Sequence, residues 1–412
     1  MGRVFVLVVA GMVASACGVG VDASGGVVLP ASSGIERADP DEAAPLMELA
    51  SGLNDAGFDF WRTQPATENL VFSPASVGHA VLMARAAADT PTSSAIDAVF
   101  DLPEGQAAHE AWNSIDLMIA SDADSEEEIT VAIADRIWPA IDVTPSQQWL
   151  DLLATHHGAT VKALDFSGDP ESSREEINSW VSDETEGLIP ELVPQGMVNE
   201  ETLLMLTDAI YFEAGWAEPF SEEFNVIDEF TLLDGTTLET EYLHRIDSAG
   251  RTVVGDGYIG AELPYAGGAF TMTVIVPEKG QFEELRDRLD QDLVDDIDNR
   301  LTVRPYELLL PKWETTTNLD LGAWLTDSSI APGSYPGIDP DAFIGEAVHA
   351  ADITVDERGT VAAAATAIGW AGSGPSEPEL VIKADRPFYY LIRHQPTGLI
   401  LFAGQVTQPT GS

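Results

Sequence analysis

Cysteine is nearly absent: the 412 residues hold one, Cys17, so no disulfide can close within the chain and no cysteine-rich zinc cluster is available. Basic residues are also scarce. Nineteen Lys and Arg stand against 69 Asp and Glu, for a net charge of -50. Such a surface repels phosphate backbones and anionic headgroups, which argues against nucleic acid and polyanionic cofactors as partners. Beyond the N-terminus no apolar run is long enough to span a membrane. No P-loop occurs, and the seven histidines are scattered rather than set at metal-ligand spacing.

What is present begins with "MGRVFVLVVAGMVASAC" over residues 1–17. One Arg precedes an apolar run of about a dozen residues and a small-residue site, the pattern of a secretory signal peptide. Ala14 and Ala16 suit ordinary signal peptidase, whereas Cys17 stands where bacterial lipoproteins carry their lipidated cysteine. The expectation is an extracytoplasmic protein, secreted or held at the cell surface through Cys17, with no other membrane contact. Residues 18–42 are rich in Gly, Ser, Ala and Asp without periodicity and read as a flexible tether.

From residue 43 to 410 no linker or internal repeat divides the chain, and 45% apolar composition supplies a large core, so one domain is expected. Leu46, Leu49, Leu53 and Phe58 lie at helical spacing. "NLVFSPASVGHAVLMARAAA" predicts a short strand, then a helix capped by Ser73 with Pro74 in its first turn. Alternation at Ile129, Val131 and Ile133 predicts a strand. Helices are predicted over Arg174–Glu186, ended by Gly187, and over Gln281–Asp298. "ETLLMLTDAIYFEAGW" and "GAFTMTVIVPE" read as strands buried on both faces, and the tail as a hairpin about Pro-Thr-Gly. Helices dominate the first third and strands the last half, an α+β pattern.

Catalytic constellations fit poorly. Gly372-Ser373-Gly374 lacks the spacing and the strand–turn–helix setting of a nucleophile elbow. His156 and His157 are adjacent and cannot share one helix face. The acidic run Asp122–Glu128 lacks the glycine and spacing of a calcium loop and reads as solvated surface. No metal, cofactor or enzymatic activity is expected, although a hydrolase with a dispersed site is one competing reading.

The segment "ERGTVAAAATAIGWAGS" (357–373) is small and nearly uncharged in a strongly acidic chain. It follows the strand-like "AVHAADITVD" and precedes about a dozen loop residues, long for a connection in a compact domain. As an extended strand it would point Thr360, Ala362, Ala364 and Thr366 one way and Val361, Ala363 and Ala365 the other. Small uncharged side chains could enter a sheet at little desolvation cost, and pairing would satisfy their backbone groups.

"DERGTVAAAAT" resembles the hinge of serpins, Glu-x-Gly-Thr-Glu-Ala-Ala-Ala-Ala-Thr. "NLVFSPASVGHAVLMARAAADT", "INSWVSDETEGLIPELVP", "LTDAIYFEAGWAEPF", "LPYAGGAFTMTVIVPE" and "ADRPFYYLIRHQPTGLILFAGQVTQP" resemble further serpin blocks in the family's order, over nearly all of residues 43–410. The resemblance implies a serpin fold of three β-sheets and eight or nine helices, with an exposed reactive-centre loop over 357–380. It implies a monomeric suicide inhibitor whose partner is a serine protease, trapped as an acyl complex when the cleaved loop inserts into a sheet. By position, Glu357, Gly359, Thr360, Val361, Ala362, Ala363, Ala364, Ala365 and Thr366 form the hinge. Ser73, Ser76, Asp208 and His349 match the shutter where the sheet opens, and Trp216 the breach above it.

Two positions depart from the family. Asp208 replaces Asn, and a carboxylate near His349 would favour a charged imidazole; the plainer expectation is a polar contact in the sheet. Val361 replaces Glu, and would face outward after insertion. Counting from the hinge places the cleaved bond at Ser373-Gly374, within a window of Trp370, Ala371, Gly372, Pro375 and Ser376 set by counting back from Pro387. No Lys or Arg lies between Arg358 and Lys383, so a trypsin-like protease is a poor target. Small residues suit elastase-like or subtilisin-like enzymes, and Trp370 a chymotrypsin-like one. The alternative within the fold is a non-inhibitory binding protein.

Overall fold

The structure, a computed structural model, describes residues 26–126, 129–133, 135–185, 187–344, 346–360 and 377–409, without the side chains of Asp208 and Glu346. Its first element corrects the sequence reading. Strand β1 (Val27–Leu29) pairs antiparallel with Val161–Ala163. Beyond it Ser32 bonds the Asp151 carboxylate, and Arg37 bonds Asn113 and Asp116. Residues 26–42 are therefore docked rather than a free tether, held by pairings with distant partners that composition does not reveal. Cys17 and the predicted signal peptide lie outside the described residues.

Helix α1 (Leu46–Thr63) follows Pro45 and buries the apolar stripe Leu49, Leu53 and Phe58. Strand β2 (Leu70–Phe72) leads into helix α2 (Pro74–Arg85), whose N-cap Ser73 accepts the Ser76 N–H as the Ser-Pro pair predicts. Asp89 caps α3 (Thr90–Phe100), and α4 (Ala107–Asp124) packs against α1. Strands β3 (Ile129–Ile133) and β4 (Arg136–Pro139) come next, then α5 (Gln147–His156) and β5 (Val161–Ala163). Asp169 caps α6 (Pro170–Glu184), so this helix starts before Arg174. Strand β6 (Leu204–Gly215) is the long apolar one.

The second half is mostly strand: β7 (Val226–Thr231), β8 (Thr237–Val254), β9 (Tyr258–Pro264) and β10 (Phe270–Pro277), the last buried throughout. The charged helix predicted over 281–298 is two helices, α7 (Phe282–Asp287) and α8 (Gln291–Arg300). Asp290 breaks it by leaving helical geometry and capping α8 through the Leu293 N–H. Strands β11 (Thr302–Pro311) and β12 (Trp313–Asp320), helix α9 (Gly322–Asp327), and strands β13 (Glu346–Val355), β14 (Gly359–Thr360) and β15 (Leu380–Lys383) follow. The hairpin β16 (Phe388–His394) and β17 (Ile400–Val406) ends the chain and is fully buried.

Nine strands form one ladder, β15-β11-β8-β9-β10-β16-β17-β2, with β7 on β8. Strand β8 is long enough to pair with different neighbours along its length: Thr237–Tyr242 with β7, and Arg251–Val254 with β9. The third sheet is β12-β13-β14-β6-β3, with β4 also on β6. Helix α2 lies against this sheet, and all but its last residue is buried. Among the described residues no helix is long and apolar enough to cross a membrane.

Candidate functional site

The site lies where β13 and β6 stop pairing with each other. Strands β13 and β6 pair in parallel from Glu346–Ala351 against Met205–Ile210. Above that they part. Asp352–Thr354 pair only with β12 and Tyr211–Glu213 only with β3, among the described residues. At the top the gap is bridged by β14, antiparallel to both neighbours: Thr360 pairs Val355 and Ala214, and Gly359 pairs Gly215. Among the described residues, the strand position between β13 and β6 is thus taken only at its top, by β14.

Hinge residues Gly359 and Thr360 are the ones seated there. Gly359 is needed there, because a Cβ would stand 2.0 Å from the Ala214 carbonyl oxygen. Thr360 is buried, and its hydroxyl meets the Tyr265 hydroxyl at 2.7 Å. The span 357–380 is therefore not exposed throughout. Glu357 and Thr360 are buried at one end, and Leu380–Lys383 pairs with β11 at the other. Val361, Ala362, Ala363, Ala364, Ala365, Thr366 and the window Trp370–Ser376, with the Ser373-Gly374 bond, lie outside the described residues.

Trp216 anchors the turn before β14. Its backbone N–H donates to the Arg358 carbonyl at 2.7 Å, and its indole Nε1 to the Asp356 carbonyl at 3.0 Å. Tyr265 stacks on it, centroids 4.6 Å apart. Glu357 is held by Lys312 at 3.1 Å and Asn225 at 2.5 Å, and its carbonyl accepts the Phe220 N–H. Burial opposes ionisation of Glu357, but the backbone amide, Asn225 and Lys312 outweigh it and hold the carboxyl below its ordinary value. Lys312 also meets Glu241 at 2.5 Å. Burial works against its charge, yet its bonds to Glu241 and Glu357 raise it. Tyr265, Lys312, Asn225 and Glu241 were not identified in the sequence: the first three meet the hinge from distant segments and Glu241 meets Lys312 and Asn225, with no spacing signal.

The shutter residues do meet. His349 is fully buried, and its Nε2 accepts the Ser73 N–H at 3.0 Å. The Ser73 hydroxyl accepts the Ser76 N–H, and the Ser76 hydroxyl donates to Asp135 at 2.7 Å. Asp208 is the strand partner of His349. The plainer reading of His349 as a polar contact inside the sheet agrees with the geometry.

The six-stranded sheet, bridged at its top by Gly359 and Thr360 and backed by α2, and the nine-stranded sheet together define the class of the fold. The chain belongs to the serpin family: the family profile, described as Serpin (serine protease inhibitor), matches residues 52–409. Membership places it among inhibitors and binding proteins and not among enzymes. Among curated proteins it is similar to leukocyte elastase inhibitor A of Mus musculus, 30% identical over 88% of this chain and 97% of the relative. The native structure of the thermophilic serpin tengpin superimposes with a TM-score of 0.79 at 22% identity, over 90% of this chain and 96% of that one. Human thyroxine-binding globulin complexed with thyroxine superimposes with a TM-score of 0.78 at 24% identity, over 89% and 100%.

Proposed function

We propose that the chain inhibits serine endopeptidases as a suicide substrate, with the loop beyond Thr360 as bait. The observation that carries this is the strand position between β13 and β6, already started by Gly359 and Thr360 in the register an inserted strand needs. Continuing that register one residue at a time sets Ala362 opposite Phe212 and brings Thr366 level with both Asp208 and His349. Thr360 points inward onto Tyr265, so alternation sends Ala362, Ala364 and Thr366 inward and Val361, Ala363 and Ala365 outward. The inward set is small enough to pass beneath the sheet, and none of it is charged.

The protease serine attacks the loop carbonyl at the Ser373-Gly374 bond. The amide C–N bond breaks, the C-terminal part leaves with a new amino group, and the N-terminal part stays on the enzyme as an ester. Insertion of the freed strand then carries the acyl-enzyme away from its productive position, and the stored difference between the two forms drives it. With no basic residue between Arg358 and Lys383, the targets are elastase-, subtilisin- or chymotrypsin-like. Leukocyte elastase inhibitor A, by its name, acts on an enzyme of that kind. The reading includes an extracytoplasmic location, either secreted or held at the cell surface by lipidation at Cys17, supported by the leader-like run of residues 1–17.

The test is incubation with elastase, subtilisin and chymotrypsin, followed by denaturing gels and mass determination of the released peptide. An SDS-stable complex and a C-terminal fragment starting within 371–377 are expected. Cleavage with no complex and no rise in melting temperature would make the chain a non-inhibitory binding member of the fold. Turnover without consumption of the chain would make it a hydrolase.

A further inference from the structure

Three of the seven histidines, far apart in sequence, form one buried hydrogen-bonded chain beneath the sheet. His109 Nδ1 lies 3.0 Å from His157 Nε2, and His157 Nδ1 lies 3.0 Å from His79 Nε2. His79 Nδ1 lies 2.8 Å from the Asp135 carboxylate. His79 also stacks on Trp112 at 4.2 Å. One protonation pattern satisfies every contact: each ring donates through Nδ1, His157 and His79 accept through Nε2, and the run ends on Asp135. All three rings are then neutral. A second proton on His79 or His157 would turn an acceptor into a donor facing another donor.

The chain does not end at Asp135. The same carboxylate accepts the Ser76 hydroxyl, Ser76 bonds Ser73, and the Ser73 N–H reaches His349 on β13. Asp135 immediately precedes β4, which pairs with β6 from Arg136 onward. The run thus ties α4, α5 and α2 to both β13 and β6. We propose that the His109–His157–His79–Asp135 chain is an acid-sensitive latch, intact at neutral pH, whose protonation frees α2 from Asp135 and lets β13 and β6 separate. The proposal concerns opening of the sheet and holds whether or not the loop traps a protease.

The surroundings disfavour a cation. Burial pushes His79 down to about 3, with the charges of Arg37 and His109 acting the same way. Burial pushes His109 down to about 3, aided by Arg85 and His156. His157 is held well below its ordinary value by burial and then by the other histidines and Arg37. Opposing carboxylates exist but are engaged elsewhere: Asp116 with Arg37, and Asp97 with Arg85. Glu110 acts on His156, on which burial nevertheless prevails. Histidines lowered in the closed state bind protons more readily once it opens. The closed state is therefore fully stable above about pH 6.5 and loses stability as pH falls from there toward about 3.

Hydrogen exchange of the full chain between pH 7.5 and 4.5, corrected for intrinsic exchange, tests this. Protection in α2, Met205–Ile210 and Glu346–Ala351 is expected to fall by more than tenfold per pH unit below pH 6, while β10 and β16 stay protected. His109→Asn keeps a donor toward His157, so it should retain protection at pH 7.5 and flatten the acid slope by up to tenfold per pH unit. His244→Asn, on the surface beside Glu307, should leave the slope as it is. Uniform loss of protection across the molecule, which the unaltered protein alone can show, would overturn the proposal. So would an unchanged slope in His109→Asn.

Discussion

Thr360 and Tyr265 share a hydrogen bond of 2.7 Å inside the molecule, 95 residues apart in the chain. It pins the start of the loop beneath the sheet. Tyr265→Phe leaves the Thr360 hydroxyl buried without that partner, which costs about 1–3 kcal/mol. The contact belongs to the seated β14, so loop cleavage does not remove it. Denaturant unfolding of native and cleaved protein should show losses of similar size. A loss confined to the native form would mean that Thr360 moves on cleavage.

Lys312 stands between two carboxylates, Glu357 and Glu241. Lys312→Met should therefore destabilise more than Glu357→Gln, because it leaves the two acids facing each other as well as unpaired. Glu357 is held below its ordinary value, so its contribution is complete above about pH 4.5 and lost as pH falls further. Unfolding midpoints of the two variants across pH 3.5 to 7 check both points. The difference between Glu357→Gln and the unaltered chain should shrink only at the acid end.

Alternation makes a prediction that composition cannot. Ala362→Arg and Ala364→Arg put a charge beneath the inserted strand, at a cost of several kcal/mol, while Ala363→Arg faces solvent. The first two should turn the inhibitor into a cleaved substrate, with complex yield down by more than tenfold. The third should lose much less. Equal loss at all three positions would show that the strand does not continue the register of β14.

Ser373→Arg supplies the basic residue the loop lacks. Trypsin should then form an SDS-stable complex, with cleavage after residue 373. Trypsin cleavage there without complex would place the reactive bond elsewhere in the window.

Truncation to residue 43 removes the β1–β5 pairing and the bonds of Arg37 to Asn113 and Asp116. A lower melting temperature is expected, by several degrees. An unchanged one would return residues 26–42 to the status of a tether.

Elements governed by local chemistry were legible. Ser73-Pro74 announces a capped helix, and the apolar run of β6 a strand buried on both faces. The family resemblance singled out Gly359, Thr360, Ser73, Ser76, His349 and Trp216, which the structure places at and beneath the parting of β13 and β6. What was not legible depends on distance. Val27–Leu29 has no pattern that names Val161–Ala163 as its partner, and Asp290 interrupts a helix whose charge pattern continues across it. Histidines 79, 109 and 157 look scattered because their meeting point is set by three different helices.

Only two residues of strand β14 are described, yet they fix a phase. Any strand that continues from Thr360 inherits which of its side chains face the core. Exchanging one residue for another changes a single contact. Adding or deleting one residue directly after Thr360 would turn every following inward side chain outward and shift Thr366 off the level of His349. The segment should therefore tolerate altered spelling far better than altered length.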